Sequence, residues 1–220
     1  MPDTPKSPLD QPLTLRCGTV LKNRIAKAAM SDSLGDGAGG PTNDQIRLYE
    51  RWAKGGLALS IIGEVQGTPH FAEKPGNLIL NSHSDREQFE RLATAGATDN
   101  ALLWLQLGHA GAMADAPIST PKGPSALELP GLICGALSLD EIHAVPAEFA
   151  RTASLAKEFG FGGVELHAAH GQLCGSLALR LKENAHFNKE FRSFQQAFAP
   201  CRNRRAPMRS QVVVRTQLFT

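Results

Sequence analysis

Cysteine pairs, long apolar runs and, beyond Glu190, acidic residues of any kind are missing from this chain of 220 residues. The four cysteines, Cys17, Cys134, Cys174 and Cys201, stand far apart with no CxxC among them. That spacing supports neither a zinc site nor a disulfide framework and fits a reducing, cytoplasmic setting. No stretch approaches the roughly 20 apolar residues needed to span a bilayer. The start, Met1-Pro2-Asp3-Thr4-Pro5, has an acid and prolines where a secretory leader needs positive charge and then an apolar run. Membrane insertion and export are therefore not expected. No GxGxxG follows any apolar run, which counts against a dinucleotide-binding Rossmann unit. All 21 acidic residues lie at or before Glu190 with 17 of the 23 Lys and Arg, so the first 190 residues carry a net −4. The tail holds Arg192, Arg202, Arg204, Arg205, Arg209 and Arg215 with no acid. Its early aromatics are only Phe191, Phe194 and Phe198, too few for the interleaved stacking of a single-strand binder, and no nucleic-acid partner is expected.

What is present is a globular composition, 42% hydrophobic, sufficient for one substantial core. Leu13 to Cys17 and Val20 to Met30 read as extended segments around a Gly18-Thr19 turn. The second empties into a glycine-rich loop. Asn43 to Gly56 has Ile46, Tyr49, Trp52 and Ala53 at helical spacing and stops at Gly55-Gly56. Leu57 to Val65 is a buried-strand run, followed by a loop to Asn81, and Asp85 to Ala97 reads as a second helix. Ala101 to Leu107 is a third apolar strand, opening into Gly108-His109-Ala110-Gly111 and a long Pro, Ser and Gly segment. Ser138-Leu139-Asp140-Glu141 has the shape of a capping box and starts a helix to about Phe159. Pro146 is expected to set off the first part of that helix as a separate piece. Gly163-Val164-Glu165-Leu166-His167 is the fourth strand.

Strands alternating with helices give a parallel α/β sheet, and four such units of similar length favour a (β/α)8 TIM barrel. Only the first four βα units fit. Four more at about 30 residues each would need roughly 120, whereas 50 residues follow His170. The expected division is an N-terminal half barrel over residues 1–175 and an atypical basic tail over 176–220, truncated or out of frame. Within the tail, Ser176 to Phe191 could form a helix and Val212-Val213-Val214 one strand.

Chemistry is expected where strands end. His167 and His170 leave the fourth strand three positions apart, and two imidazoles there can donate to one substrate oxygen. By pattern alone HxxH reads equally well as two packed histidines. Glu165 alternates with His167 and could join it on a metal, although no full ligand set accompanies them. Gln106, near the end of the third strand, offers a donor and an acceptor to a heterocycle edge, or a core amide bonded to backbone. Ala28, Ala29, Met30 and Ser31 end the first strand with small groups and accessible backbone, and Gly63 on the second is equally permissive of a flat ring.

The ordered stretches LKNRIAKAAMS, RLYERWAKGG, SIIGEV, WLQLGHAG and GFGGVELHAAHG, from Leu21 to Gly171, resemble the old yellow enzyme family of FMN-dependent oxidoreductases. The family includes ene-reductases and 2,4-dienoyl-CoA reductase-like members. The resemblance implies a TIM barrel with FMN at its mouth and NAD(P)H as reductant. Hydride passes through FMN to an activated alkene, an α,β-unsaturated carbonyl, as the small-molecule substrate. It implies that Ala29, Met30, Ser31, Gly63 and Gln106 bind FMN, that His167 and His170 bind the substrate carbonyl, and that no metal is involved.

Two positions depart from the family pattern. Gln172 stands where a tyrosine usually donates a proton, and Ala112 replaces the arginine of an HAGR-like stretch. The later strands that carry the phosphate loops are not matched, and Val212-Val213-Val214-Arg215 vaguely resembles the fifth strand with its flavin-facing arginine. An alternative function is a catalytically inactive chain serving as a binding or dimerisation partner. Open strand edges predict homo-oligomers or aggregation.

Overall fold

A computed structural model describes residues 7–15, 18–168, 170 and 172–174, and the strand at 212–215. The helix expected over 176–191 and the rest of the basic tail lie outside the described residues.

The chain opens with a short antiparallel hairpin, β1 (Leu13–Thr14) and β2 (Val20–Leu21). Then follow β3 (Ala26–Ser31), α1 (Asn43–Lys54), β4 (Leu59–Gln66), β5 (Leu78–Ile79), α2 (Arg86–Gly96) and β6 (Leu102–Leu107). Three further short strands, β7 (Lys122–Gly123), β8 (Leu127–Leu129) and β9 (Leu132–Ala136), precede α3 (Leu139–Glu158), β10 (Gly163–His167) and β11 (Val212–Arg215). The main sheet is parallel, in the order β11-β10-β6-β4-β3, with β5 added beside β4. Strand follows helix in spatial sequence as a barrel wall requires, and the fold is part of a TIM barrel, with three βα units followed by two further strands, β10 and β11, among the described residues.

Local chemistry sets the boundaries of the helices. The Thr42 and Asp85 side chains accept the free amides of Gln45 and Gln88, both at 3.2 Å, which caps α1 and α2. At α3 the capping box forms: the Glu141 amide donates to Ser138 Oγ at 3.2 Å, and the Ser138 amide donates to Glu141 Oε2 at 2.7 Å. Pro146 does not split this helix, contrary to the expectation from sequence; α3 runs unbroken from Leu139 to Glu158. The capping box secures its front, and Val145 and Phe149, on either side of the proline, are both buried. Their packing offsets the one lost backbone bond.

Two other expectations need correction. Val20 to Met30 is not one extended segment, because Asn23 interrupts it: its Oδ1 accepts the Ile25 amide at 3.0 Å while its Nδ2 donates to the Gly56 carbonyl at 2.7 Å. A side chain that pairs with nearby backbone competes with the ladder. The Pro, Ser and Gly segment after β6 is not structureless; it holds the small sheet β7-β9-β8. Strands of two to five residues are too short to show an alternation.

The sheet is covered on both faces. Towards the helices, Ile62, Leu105, Val164 and Leu166 join Phe89 and Phe159 in the larger apolar cluster. On the other face Leu59, Ile61 and Trp104 pack with Leu21 of the hairpin, and with Leu13, Leu15 and Ala29 at its margin. The hairpin thus closes the amino ends of the strands with apolar groups and leaves polar groups at the carboxyl ends.

Candidate active site

The carboxyl ends of β3, β4, β6 and β10 bring the expected residues together. Gly63 is their centre. A β-carbon added there would lie 3.0 Å from Gln106 Oε1, 3.1 Å from the Met30 amide nitrogen and 3.2 Å from Ala29 Cβ. Three successive strands therefore pack closely at a position with no room for a side chain. Ser31 pairs in register with Gly63, and its Oγ accepts from Asn77 Nδ2 at 3.2 Å. Met30 is 52% exposed at the rim of this position.

Gln106 and Glu165 are register partners on β6 and β10, and Gln106 Nε2 donates to Glu165 Oε1 at 2.7 Å. That bond uses the amide donor and directs its oxygen to the Gly63 side. Glu165 is thereby engaged with the glutamine.

His167 ends β10 and is buried, while His170 lies beyond it with a φ of 56° and is exposed. Their rings are 5.1 Å apart, and His170 Nδ1 approaches His167 Nε2 to 3.3 Å. Burial, and then the neighbouring His170, lower the pKa of His167 to about 4. It is a neutral imidazole near pH 7, as is His109, which burial also lowers to about 4 and whose Nδ1 accepts the Gly111 amide at 3.1 Å.

Glu64 is the residue that sequence reasoning missed. The register of β4 against β6 slips between Ile62 and Val65, and this irregularity lets Gly63 and Glu64 both serve the site. Glu64 is 8% exposed, and Gln172 Nε2 donates to its Oε1 at 2.5 Å. His167 Nε2 is 3.5 Å from that same oxygen. Burial raises the Glu64 carboxyl to about 7, against the lowering effect of the Gln172 hydrogen bond. An acid inside the otherwise apolar LALSIIGEV run was the available signal, since a buried carboxylate needs a partner or a purpose.

This arrangement of strands and polar ends is matched outside the chain. The family model described as NADH:flavin oxidoreductase / NADH oxidase family fits residues 8–185. The chain belongs to that family. An NADH-dependent flavin oxidoreductase, iliE, of Hypocrea jecorina (strain QM6a) is 34% identical over an aligned length of 187, and the match covers 74% of this chain and 46% of that protein. The old yellow enzyme homologue from Zymomonas mobilis superposes with a TM-score of 0.69 at 26% identity, over 76% of this chain and 50% of that one. Morphinone reductase in complex with tetrahydroNAD superposes with a TM-score of 0.73 at 22% identity, over 95% of this chain and 64% of that one. This member of the NADH:flavin oxidoreductase family spans half or less of the length of the curated relatives it matches.

Proposed function

We propose that this chain forms the flavin- and carbonyl-binding side of an FMN-dependent NAD(P)H oxidoreductase that reduces activated alkenes. The observation that carries the reading is the meeting of three strand ends at Gly63, where an added β-carbon would lie against Gln106, Met30 and Ala29. A flat ring can lie over a floor without a side chain, and Gln106 Oε1 offers an acceptor to an imide N–H at its edge. Ala29, Met30 and Ser31 would line the ring's side, Met30 with its amide and Ser31 from the rim. When bound, FMN supplies a hydride acceptor for NAD(P)H and a hydride donor for the alkene.

The chain's own contribution to the chemistry is polarisation of the substrate. His167 and His170 would hold the carbonyl oxygen of an α,β-unsaturated substrate, where N–H donors stabilise the charge that moves onto it as the β-carbon is reduced. The low pKa of His167 keeps that ring a neutral donor rather than a full cation. Gln172 fills the position at which the family places a tyrosine, and an amide engaged with Glu64 supplies no proton.

The decisive experiment is titration of the purified chain with FMN, followed by NADH oxidation with an α,β-unsaturated ketone. Saturable binding with a perturbed flavin spectrum and enone-dependent NADH consumption are expected. Absence of saturable binding overturns the reading. A second reading, a chain that pairs with a partner rather than turns over substrate, is favoured by one observation. Among the described residues β3 has β4 on one side and no strand on the other, with Ile25 and Met30 exposed along it.

A further inference from the structure

The buried acid beside the histidines has a geometry that flavin binding and carbonyl polarisation leave unused. Glu64 Oε1 accepts from Gln172 Nε2 at 2.5 Å and Glu64 Oε2 accepts from Gln66 Nε2 at 3.4 Å. The carbonyl oxygens of both glutamines are buried without a partner. Gly108 makes room for the group, since a β-carbon there would lie 3.1 Å from Gln172 Oε1 and 3.2 Å from Glu64 Oε2. The remaining neighbour is His167 Nε2, 3.5 Å from Glu64 Oε1 and 3.3 Å from His170 Nδ1. Glu73 and Lys74 are the other charges that act on the carboxyl, one opposing its ionisation and one favouring it.

We propose that Glu64 is the positioning residue for His167, its ionisation deciding which ring nitrogen carries the proton and so which of the two is left to donate. The proposal rests on the assignment of His167 to the substrate carbonyl. A protonated Glu64 is a donor, and the nitrogen it faces must then accept, which leaves the imidazole proton on Nδ1. An ionised Glu64 is only an acceptor, and it holds the proton on Nε2, directed at the carboxylate, which leaves Nδ1 an acceptor. Burial disfavours the charged form of both groups, lowering the pKa of His167 and raising that of Glu64, which favours the uncharged pair and lets the tautomer follow the proton on Glu64. A tyrosine at position 172 would offer Glu64 one hydroxyl; the amide found there offers a donor without adding a titrating group.

The test reads the ring nitrogens directly and needs no flavin, so it is separable from failure of the FMN titration. Protein labelled with 15N-histidine is followed by long-range proton–nitrogen correlation from about pH 5.5 to about pH 8.5, a range that brackets ordinary histidine titration. His167 is assigned by its loss in His167→Asn. In the wild type, Nε2 is expected to pass from the acceptor to the N–H chemical-shift region as pH rises. In Glu64→Gln the passage is abolished; that side chain keeps the packing, because its amide can donate to the unpartnered Gln66 oxygen while its carbonyl accepts from Gln172. In Gln172→Leu, which removes a bond favouring ionised Glu64, the midpoint moves to higher pH. A His167 tautomer that does not change with pH in the wild type, or a passage that survives in Glu64→Gln, overturns the proposal.

Discussion

Gln106 and Glu165 face each other across neighbouring parallel strands, and the bond between them, 2.7 Å from amide nitrogen to carboxylate oxygen, fixes which end of the glutamine looks towards Gly63. A free amide can present either its oxygen or its nitrogen after a half turn about its last torsion. Here the nitrogen is occupied and the oxygen is left for a ligand. In Glu165→Leu that restraint is lost and the glutamine nitrogen is left without its acceptor. Hydrogen bonds to charged groups contribute about 1.5–3 kcal/mol, so weakening of FMN binding by roughly tenfold or more is expected, read by quenching of flavin fluorescence. Unchanged affinity would show that Gln106 orients itself without help.

Gly63→Val tests the cradle itself. Its first added carbon would lie within 3.0 to 3.2 Å of the Gln106 oxygen, the Met30 nitrogen and the Ala29 methyl group. The added bulk fills the floor on which the ring is proposed to rest. Expected outcomes are loss of measurable FMN binding with the far-ultraviolet circular dichroism of the wild type. Wild-type affinity in this variant would move the flavin site elsewhere.

The ends of the strands were legible in the chain because each is a short apolar run followed by small or polar residues, and Ala29, Gly63, Gln106 and His167 could be placed by that pattern alone. What lies between them was not. The slip in β4 between Ile62 and Val65 breaks strict alternation, so the orientation of Glu64 could not be counted from its neighbours. Glu165 could be assigned to the inner face, but its partner sits 59 residues away on another strand, and only the register joins them. The sheet formed by β7, β8 and β9 escaped notice because its strands are very short and carry glycine and proline between them. Family resemblance supplied roles that spacing could not, and it gave no account of Glu64.

Packing between α2 and β6 gives a prediction independent of any ligand. A β-carbon on Gly96 would lie 2.4 Å from Leu103 Cδ2 and 2.9 Å from its Cβ, so helix and strand touch where a side chain has no room. Overpacking of this kind costs about 1–3 kcal/mol. Gly96→Ala should therefore lower the midpoint of urea unfolding. Gly162→Ala is the control: its added carbon would meet Leu102 and Trp104 at 3.4 to 3.5 Å, ordinary contact distances, and the midpoint should stay close to that of the wild type. Equal effects of the two substitutions would contradict the close approach of α2 to β6.

Stability should also depend on pH in two opposed ways at the site. Glu64 has its folded pKa raised from 4.5 to about 7, so its contribution is fully present below 4.5 and is lost as pH rises towards and through 7. His167 and His109 have theirs lowered from 6.5 to about 4, so their contributions are present above 6.5 and lost as pH falls through 4. A tenfold change in proton affinity corresponds to about 1.4 kcal/mol, which puts the Glu64 effect on the order of 3 kcal/mol when fully expressed. Glu64→Gln removes the titrating group while keeping its shape. Because the histidines act in the opposite sense between pH 4 and 6.5, the effect of Glu64 is read as a difference: the urea midpoint of Glu64→Gln should gain on that of the wild type as pH rises from 4.5 to about 7, while both fall on the acid side because of the histidines. A midpoint difference between the two proteins that stays constant from pH 4.5 to about 7 would place the pH dependence in groups other than Glu64.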